Sequence, residues 1–268
     1  MKSIPIFFLL LFFSSTVFAF EGDVRVRLQR RFPSCRGTIE NYYLGDEFSF
    51  YDRFRFRSST MRFSLLLDKA RGEDWIDIIA AGVIWTPESG NLKSFSAGWL
   101  RVDLGSGLVI AYPGGWSDLN VLSLYKPPGI RNRIEPATSA WGCRGNPLTG
   151  AGATARFGDL DVSLLAAYSR LDSIGDGHHR TASEIAGKAA IGETLGAIRV
   201  STEEWGVTLA GATGYDSGSR YWVRMGADWD IDFSTFRFTG ETAAGVDSSG
   251  ASAAFWAAPS QNFGNFKH

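Results

Sequence analysis

The feature that most constrains this chain is a two-residue alternation of apolar and charged side chains over positions 221–233. Successive side chains of a β-strand point to opposite faces of a sheet, so this segment would have one apolar face and one charged face. A helix would scatter both groups around its circumference. The segment is therefore predicted to be a β-strand. Its apolar positions are Tyr221, Val223, Met225, Ala227, Trp229, Ile231 and Phe233, and Trp222, Arg224, Gly226, Asp228, Asp230 and Asp232 lie between them.

The same period recurs along most of the chain. Gly158 and Asp159 are predicted to form a two-residue hairpin turn between two such segments. The sequence predicts roughly ten to twelve strands, most of them near the roughly 9–11 residues that a tilted strand needs to cross a bilayer. In segment 75–85 both faces are largely apolar, so the sequence does not indicate which of them points outward. The other segments are 53–57, 61–68, 92–102, 151–157, 162–168, 193–201, 205–215 and 236–241.

The connections between these segments fall into two kinds. Some turns are short, whereas 112–150 is a long stretch with five of the nine prolines and 172–183 is polar. This alternation is typical of a barrel with one tight rim and one loop-rich rim. No capped helical pattern is present, although positions 181–190 are predicted to make a helical turn or two.

The N-terminus has the pattern of a secretory signal peptide. Lys2 provides a positive start, Ile4 to Phe13 is an apolar run, and small residues lead to a cleavage site after Ala19. The run is shorter than the roughly 20 residues of a membrane-spanning helix, and an uncleaved anchor is the alternative. We expect a signal peptide over 1–19, an N-terminal segment with the first strand over 20–47, barrel strands over 48–257 and a C-terminal tail over 258–268.

Three features favour a membrane barrel over a secreted β-sandwich, which also shows two-residue alternation. The polar faces are dense in Arg, Asp and Glu, as in a barrel lumen, while Lys occupies only six of the 27 basic positions. Aromatic residues make up 14% of the chain and bound several strands, as in the girdles of outer-membrane barrels. Strands of a sandwich are usually shorter and more regularly spaced. We expect an all-β, antiparallel transmembrane β-barrel surrounded by outer-membrane lipid; a soluble sandwich that binds a ligand is the alternative.

Charged side chains are predicted to line the lumen of this barrel. One hypothesis is that basic and acidic groups on opposite sides create a transverse field that selects small solutes or orients a plug. The alternative, which we favour, is a set of internal salt bridges that fills a narrow barrel. The residues concerned are Arg53, Arg55, Arg57, Arg62, Arg224, Asp228, Asp230, Arg237 and Glu241.

Catalytic and metal-binding signals are weak. The chain has three histidines, and His178, His179 and Ser183 raise the hypothesis of a barrel-borne lipid hydrolase with a nucleophile–base pair. An exposed polar loop is the simpler interpretation, so we predict no enzyme activity, no cofactor and no metal. Cys35 and Cys143 would lie in an oxidising compartment, where they could pair. With 27 basic and 28 acidic side chains, the composition favours no nucleic-acid partner.

Several short motifs, in a preserved order, resemble a family of large outer-membrane barrel proteins that often carry helix-hairpin-helix repeats ahead of the barrel. One of these motifs contains Gly105 and Gly107, and the spacing of these two glycines also predicts a bend in a strand. The resemblance implies a barrel fold. It is carried by Phe54-Arg55-Phe56-Arg57, by Leu67 to Glu73, by Asp103 to Leu108, by His179 to Glu184 with Lys188, and by Asn262 to Asn265.

The chain departs from that family in two respects. No helix-hairpin-helix segment precedes the predicted barrel, so the DNA-binding role of such repeats does not carry over. The chain also reaches His268 shortly after the last motif, where the resemblance implies further strands. We therefore expect a barrel that is either complete or shortened, and in the second case another chain or a second copy would complete it. Its expected role is non-enzymatic: a channel, a secretion-associated component or a surface scaffold.

Overall fold

In the computed structural model, the described part of the chain is an antiparallel β-sheet with one short helix. The described residues are 21–30, 44–45, 48–73, 76–105, 107–112, 131–137, 148–172, 179–188, 190–214, 220–233 and 236–261. The strands are β1 (Glu21–Arg30), β2 (Phe48–Arg57), β3 (Met61–Lys69), β4 (Ile78–Trp85), β5 (Leu92–Gly105), β6 (Ile110–Tyr112), β7 (Arg131–Pro136), β8 (Leu148–Phe157), β9 (Leu160–Leu171), β10 (Ile191–Ser201), β11 (Trp205–Gly214), β12 (Tyr221–Asp232), β13 (Phe236–Asp247) and β14 (Gly250–Gln261), and the helix is α1 (Ala182–Ala186).

Twelve of the described strands form one meander. They pair in the order β1-β2-β3-β4-β5-β8-β9-β10-β11-β12-β13-β14, and β6 and β7 pair with β5 beside this path. Every one of these pairs is antiparallel. The predicted all-β, antiparallel fold is therefore confirmed. The predicted signal peptide lies outside the described residues.

The connections of the meander alternate between two ends of the sheet. At one end, here called the short-turn rim, β2–β3, β8–β9, β10–β11 and β12–β13 are joined by two to three residues and β4–β5 by six. At the other end, the loop rim, most connections are longer, the two-residue β13–β14 turn being an exception. Gly158 has φ +63° in the predicted β8–β9 turn. Two rims with unequal connections are therefore present, as the sequence predicted.

The two faces of the sheet differ sharply in exposure. On β12, Met225 is 58% exposed on what we call the outer face, whereas Asp228 on the inner face is 2% exposed. On β4, Ile79 is 57% exposed and Ala80 is 1% exposed. The apolar alternation of β12 thus faces outward, and the outward side of β4, which the sequence left open, is that of Ile79 and Trp85.

A three-stranded insert fills part of the inner side. β5 pairs with β4 and β8 up to Trp99, and over 100–105 it pairs instead with β6 and β7. Its side chains Leu100, Val102 and Leu104 belong to one buried apolar cluster with alanines and leucines from the inner faces of β8 to β13. The inner side is therefore partly apolar, unlike the charged lumen expected from sequence, because small inner residues such as Ala210 leave room for the insert.

The sheet curves around this insert. The backbone N–H of Leu108, just after β5, donates to Oε2 of Glu241 on β13 at 3.0 Å, although many strands separate the two along the meander. Within the described residues, β1 pairs with β2 and β14 pairs with β13, and no pairing joins β1 to β14. No helix in the described part of the chain has the length and apolar content needed to cross a membrane.

Candidate functional site

The predicted lumen-lining residues lie on the inner face but in separate groups. Arg53, Arg55, Arg57 and Arg62 are on β2 and β3, whereas Arg224, Asp228, Asp230, Arg237 and Glu241 are on β12 and β13. Arg237 forms a two-point ion pair with Asp230 on the adjacent strand. On the other side, Asp23 of β1 lies 3.3 Å from Arg53 and 3.9 Å from Arg55. The ion pairs of Arg53, Arg55 and Arg237 therefore join neighbouring strands.

The most buried charges form a cluster around Arg199, a residue that the sequence analysis did not single out. Nη2 of Arg199 donates to Oδ1 of Asp228 at 2.8 Å, and Nη1 donates to Oδ2 of the same carboxylate. Nη1 also donates to Oγ1 of Thr208 at 2.9 Å. Arg199 is 0% exposed and Glu241, opposite Asp228 in the β12–β13 register, is 1% exposed. These four residues are called the Arg199 cluster.

The turn after β5 rests directly on this cluster. Gly105 has φ +78°, and a Cβ there would lie 3.0 Å from Oδ2 of Asp228 and 3.1 Å from Oε1 of Glu241. Only glycine combines that conformation with so close an approach. Gly107 also has a positive φ, +106°. The predicted bend at Gly105 and Gly107 is therefore the turn that connects β5 to β6 and seats the insert on the inner wall.

A cavity of about 450 Å³ opens on the inner side near the short-turn rim. Three of the predicted lumen arginines, Arg55, Arg57 and Arg62, line it. Ser64, Ile84 and the insert residue Glu135 also contribute to the lining. The cavity therefore lies between the β2–β3 hairpin and the insert.

At the loop rim, a group of polar side chains joins connections that are far apart in sequence. Nδ1 of His179 lies 2.7 Å from Oδ2 of Asp77, and Nε2 lies 3.1 Å from Oδ2 of Asp172. Lys188 donates to Oδ1 of Asp77 at 2.6 Å, and the backbone N–H of His179 lies 3.4 Å from Oε1 of the buried Glu73. We call these five residues the loop clasp. It links the β3–β4 connection to the β9–β10 connection.

Helix α1 supports the clasp from the β9–β10 side. Thr181 is its N-cap, and Thr181 and Glu184 form a capping box. Burial opposes ionisation of Glu184, but hydrogen bonds from the backbone N–H groups of Arg180 and Thr181 outweigh it and lower the pKa of this carboxyl. The predicted helical turn within 181–190 is thus present, and its capping residues directly follow His179.

Of the residues in the hydrolase hypothesis, the described part of the chain contains His179 and Ser183. Both ring nitrogens of His179 face carboxylates, and Oγ of Ser183 lies 3.1 Å from Oγ1 of Thr181. Among the described residues, His179 and Ser183 therefore form no nucleophile–base pair. The described part of the chain contains no group of three or more His, Cys, Asp or Glu side chains that could hold a metal ion. His178, Cys35 and Cys143 lie outside the described residues.

Sequence reasoning missed Arg199, Glu73 and Asp77. Arg199 follows Leu195 and Ala197 on the inner face of β10, so the alternation in this strand does not give it a uniformly charged face. Asp77 and Glu73 lie in the short β3–β4 connection, and their partners His179 and Lys188 lie about 100 residues later in the sequence. The only sequence signal was indirect: the motifs Leu67–Glu73 and His179–Glu184, noted for their resemblance, are the two segments that the clasp brings together.

No protein-family model matches this chain, and no curated protein matches it in sequence.

Proposed function

We propose that this chain is a non-enzymatic outer-membrane β-barrel protein that acts as a surface scaffold. The observation that carries the proposal is the outer face of the sheet. Leu164, Ile198, Leu209, Val223 and Met225 lie on this face on four consecutive strands, β9 to β12, and each is exposed. Contiguous apolar surface of this kind is rare on soluble monomers, whereas lipid favours it.

The distribution of charge supports the same proposal. Asp228, Glu241 and Arg199 are buried on the inner side. The outer face over β10 to β12 carries few ionised groups. Inward charges with outward apolar residues are the arrangement of a membrane barrel. In a soluble sandwich, apolar side chains would meet between two sheets, yet Phe255 is 69% exposed.

A scaffold role is favoured over an open channel because of the insert and the loop clasp. Leu100, Val102 and Leu104 pack on the inner wall, and the clasp ties two connections together at the loop rim. A channel requires a continuous wet path, which both features obstruct. Long connections at one rim give such a protein a surface on which other molecules can assemble.

The lipid assignment is tested with a charge on the outer face. Leu209→Arg is expected to destabilise the protein in lipid by about 2–4 kcal/mol, because an arginine near the middle of the bilayer leaves water. Glu88→Arg, in the exposed β4–β5 turn, is the matched control. We expect wild-type protein and control to fractionate with the outer membrane and to migrate differently on a gel before and after heating. Recovery of the wild type as a soluble periplasmic or secreted protein contradicts the proposal.

Single-channel conductance measurements distinguish the scaffold role from the channel role. Folded wild-type protein in a planar bilayer is expected to pass no steady current. Stable, solute-selective openings would instead make the chain a channel, and the scaffold role would be abandoned while the barrel assignment remained.

A further inference from the structure

The cavity near the short-turn rim places two arginines directly opposite each other on neighbouring strands. Arg57 of β2 and Arg62 of β3 are Cα partners in the register, and both line the cavity with Arg55. Directly opposed residues on one face have Cβ atoms only about 4.5–5.5 Å apart, and like charges at such positions repel. The hairpin therefore carries an unfavourable pair that a bound anion would relieve.

Two of the three carboxylates that line the cavity, Asp23 and Glu135, lie close to arginines. Asp23 lies 3.3 Å from Arg53, and 3.9 Å from Arg55. Glu135 lies 3.4 Å from Arg133. Glu21 is opposite Arg57 in the register, yet within the described residues neither Arg57 nor Arg62 has a carboxylate oxygen within 4.0 Å.

Arg55 adds a third donor to this pair. Its Nε is buried and makes no hydrogen bond, because Oδ1 of Asp23, at 3.9 Å, is beyond hydrogen-bonding distance. An unpaired buried donor costs free energy, and a charged acceptor in the cavity would satisfy it. Guanidinium groups bind phosphate through paired, charge-assisted hydrogen bonds, and phosphate has enough oxygens to accept from several arginines at once.

We propose that the cavity of about 450 Å³ binds a phosphate group held by Arg55, Arg57 and Arg62. The group belongs either to free phosphate or to a phosphate-bearing lipid, since both present the same oxygens. This site is separate from the Arg199 cluster and the loop clasp. It does not depend on the scaffold role.

The test is calorimetric titration of the purified full chain in neutral detergent, first with inorganic phosphate and then with short-chain phosphatidic acid. Arg57→Gln and Arg62→Gln are each expected to weaken binding at least about tenfold, because each removes a charge-assisted pair of hydrogen bonds. Arg156→Gln is the matched control: Arg156 flanks the β8–β9 turn at the same rim but pairs with Asp161 outside the cavity. Unchanged heat-modifiable migration shows that each variant is folded.

The two titrations distinguish the sources of phosphate. Loss of inorganic phosphate binding in Arg57→Gln and Arg62→Gln, but not in Arg156→Gln, assigns the site to free phosphate. The same pattern with phosphatidic acid alone assigns it to lipid. If neither titrant binds the wild type, or if all three substitutions weaken binding equally, the proposed site is wrong. Either result leaves the fractionation and conductance tests of the barrel unaffected.

Discussion

At the scale of single residues, the interior is organised around one guanidinium. Arg199 is completely buried and is held by Asp228 and Thr208, with Gly206 close beneath its guanidinium plane. Removing two charges from water is costly, and the cost is recovered only when the geometry and the remaining hydrogen bonds are good. The two-point contact with Asp228 meets that requirement. Because Asp228 holds the guanidinium in place, a Cβ at position 206 would clash with it, and only glycine fits there.

We therefore expect Asp228→Asn to destabilise the protein by about 3–5 kcal/mol, because it breaks the two-point ion pair that holds the completely buried guanidinium of Arg199. The measurement is the midpoint of urea unfolding from lipid vesicles, followed by tryptophan fluorescence. Asp159→Asn, in the exposed β8–β9 turn, is the control and is expected to unfold near the wild-type midpoint. Equal midpoints for the two variants would mean that Arg199 and Asp228 contribute little as a pair.

At the scale of elements, the loop clasp and α1 act together on the loop rim. The backbone N–H of Leu44 donates to the carbonyl of Arg180 at 2.8 Å, and that of Gly45 donates to the carbonyl of Gly72 at 3.0 Å. Three connections of the rim, β1–β2, β3–β4 and β9–β10, are therefore joined around His179. Such cross-links order long connections that otherwise have few partners.

The capping carboxylate of α1 gives this rim a defined pH dependence. Folding lowers the pKa of Glu184 below its ordinary value of 4.5, so its ionised form stabilises the rim above that pH. The stabilisation is lost as the pH falls through the lowered pKa. Glu184→Gln is expected to speed hydrogen exchange over 179–188 near neutral pH, by an amount equivalent to about 1 kcal/mol.

The difference between Glu184→Gln and wild type is expected to vanish at a pH well below the lowered pKa, because the wild-type carboxyl is then neutral as well. Glu88→Gln in the β4–β5 turn is expected to exchange like wild type at both pH values. A difference that persists unchanged in acid would rule out ionisation of Glu184 as the source of the effect.

At the scale of the whole molecule, the meander has an even number of described strands between its two edges. Twelve strands lie on the path from β1 to β14, all antiparallel, so these edge strands also run antiparallel to each other. Outward Val24 and Val26 on β1 and Phe255 on β14 are exposed. Unpaired strand edges are costly in lipid, since no water satisfies their backbone groups. If the sheet lies in a membrane as proposed, either the two edges meet or another chain covers them.

We expect the edges to meet within one chain. Cysteines at Val26 and at successive outward positions of β14, namely Ala253, Phe255 and Ala257, would test this after Cys35 and Cys143 are replaced by serine. Oxidation of the protein in membranes is expected to give one monomeric cross-linked product at a single β14 position. A cross-linked dimer instead would show that a second copy completes the sheet.

Local patterns were sufficient for much of the fold. The two-residue alternation predicted β12, β8 and β9 with their apolar faces outward, and the Gly158-Asp159 turn and the short helix near Thr181 followed from their own few residues. These features could be predicted because strand direction, turn type and helix capping depend on neighbours a few positions apart.

The sites were decided by contacts that no local pattern contains. Sequence alone determined that Arg and Asp side chains face away from the apolar side. It predicted neither that Asp228 pairs with Arg199 nor that Arg57 and Arg62 lie side by side in the lining of a cavity. Asp77 and His179 meet although they are 102 residues apart. Such pairs depend on the register and curvature of the whole sheet, which side-chain alternation leaves free. The tertiary structure also places apolar residues in part of the interior that the sequence predicted to be charged, because β5 leaves the meander at Leu100 and turns its apolar residues inward.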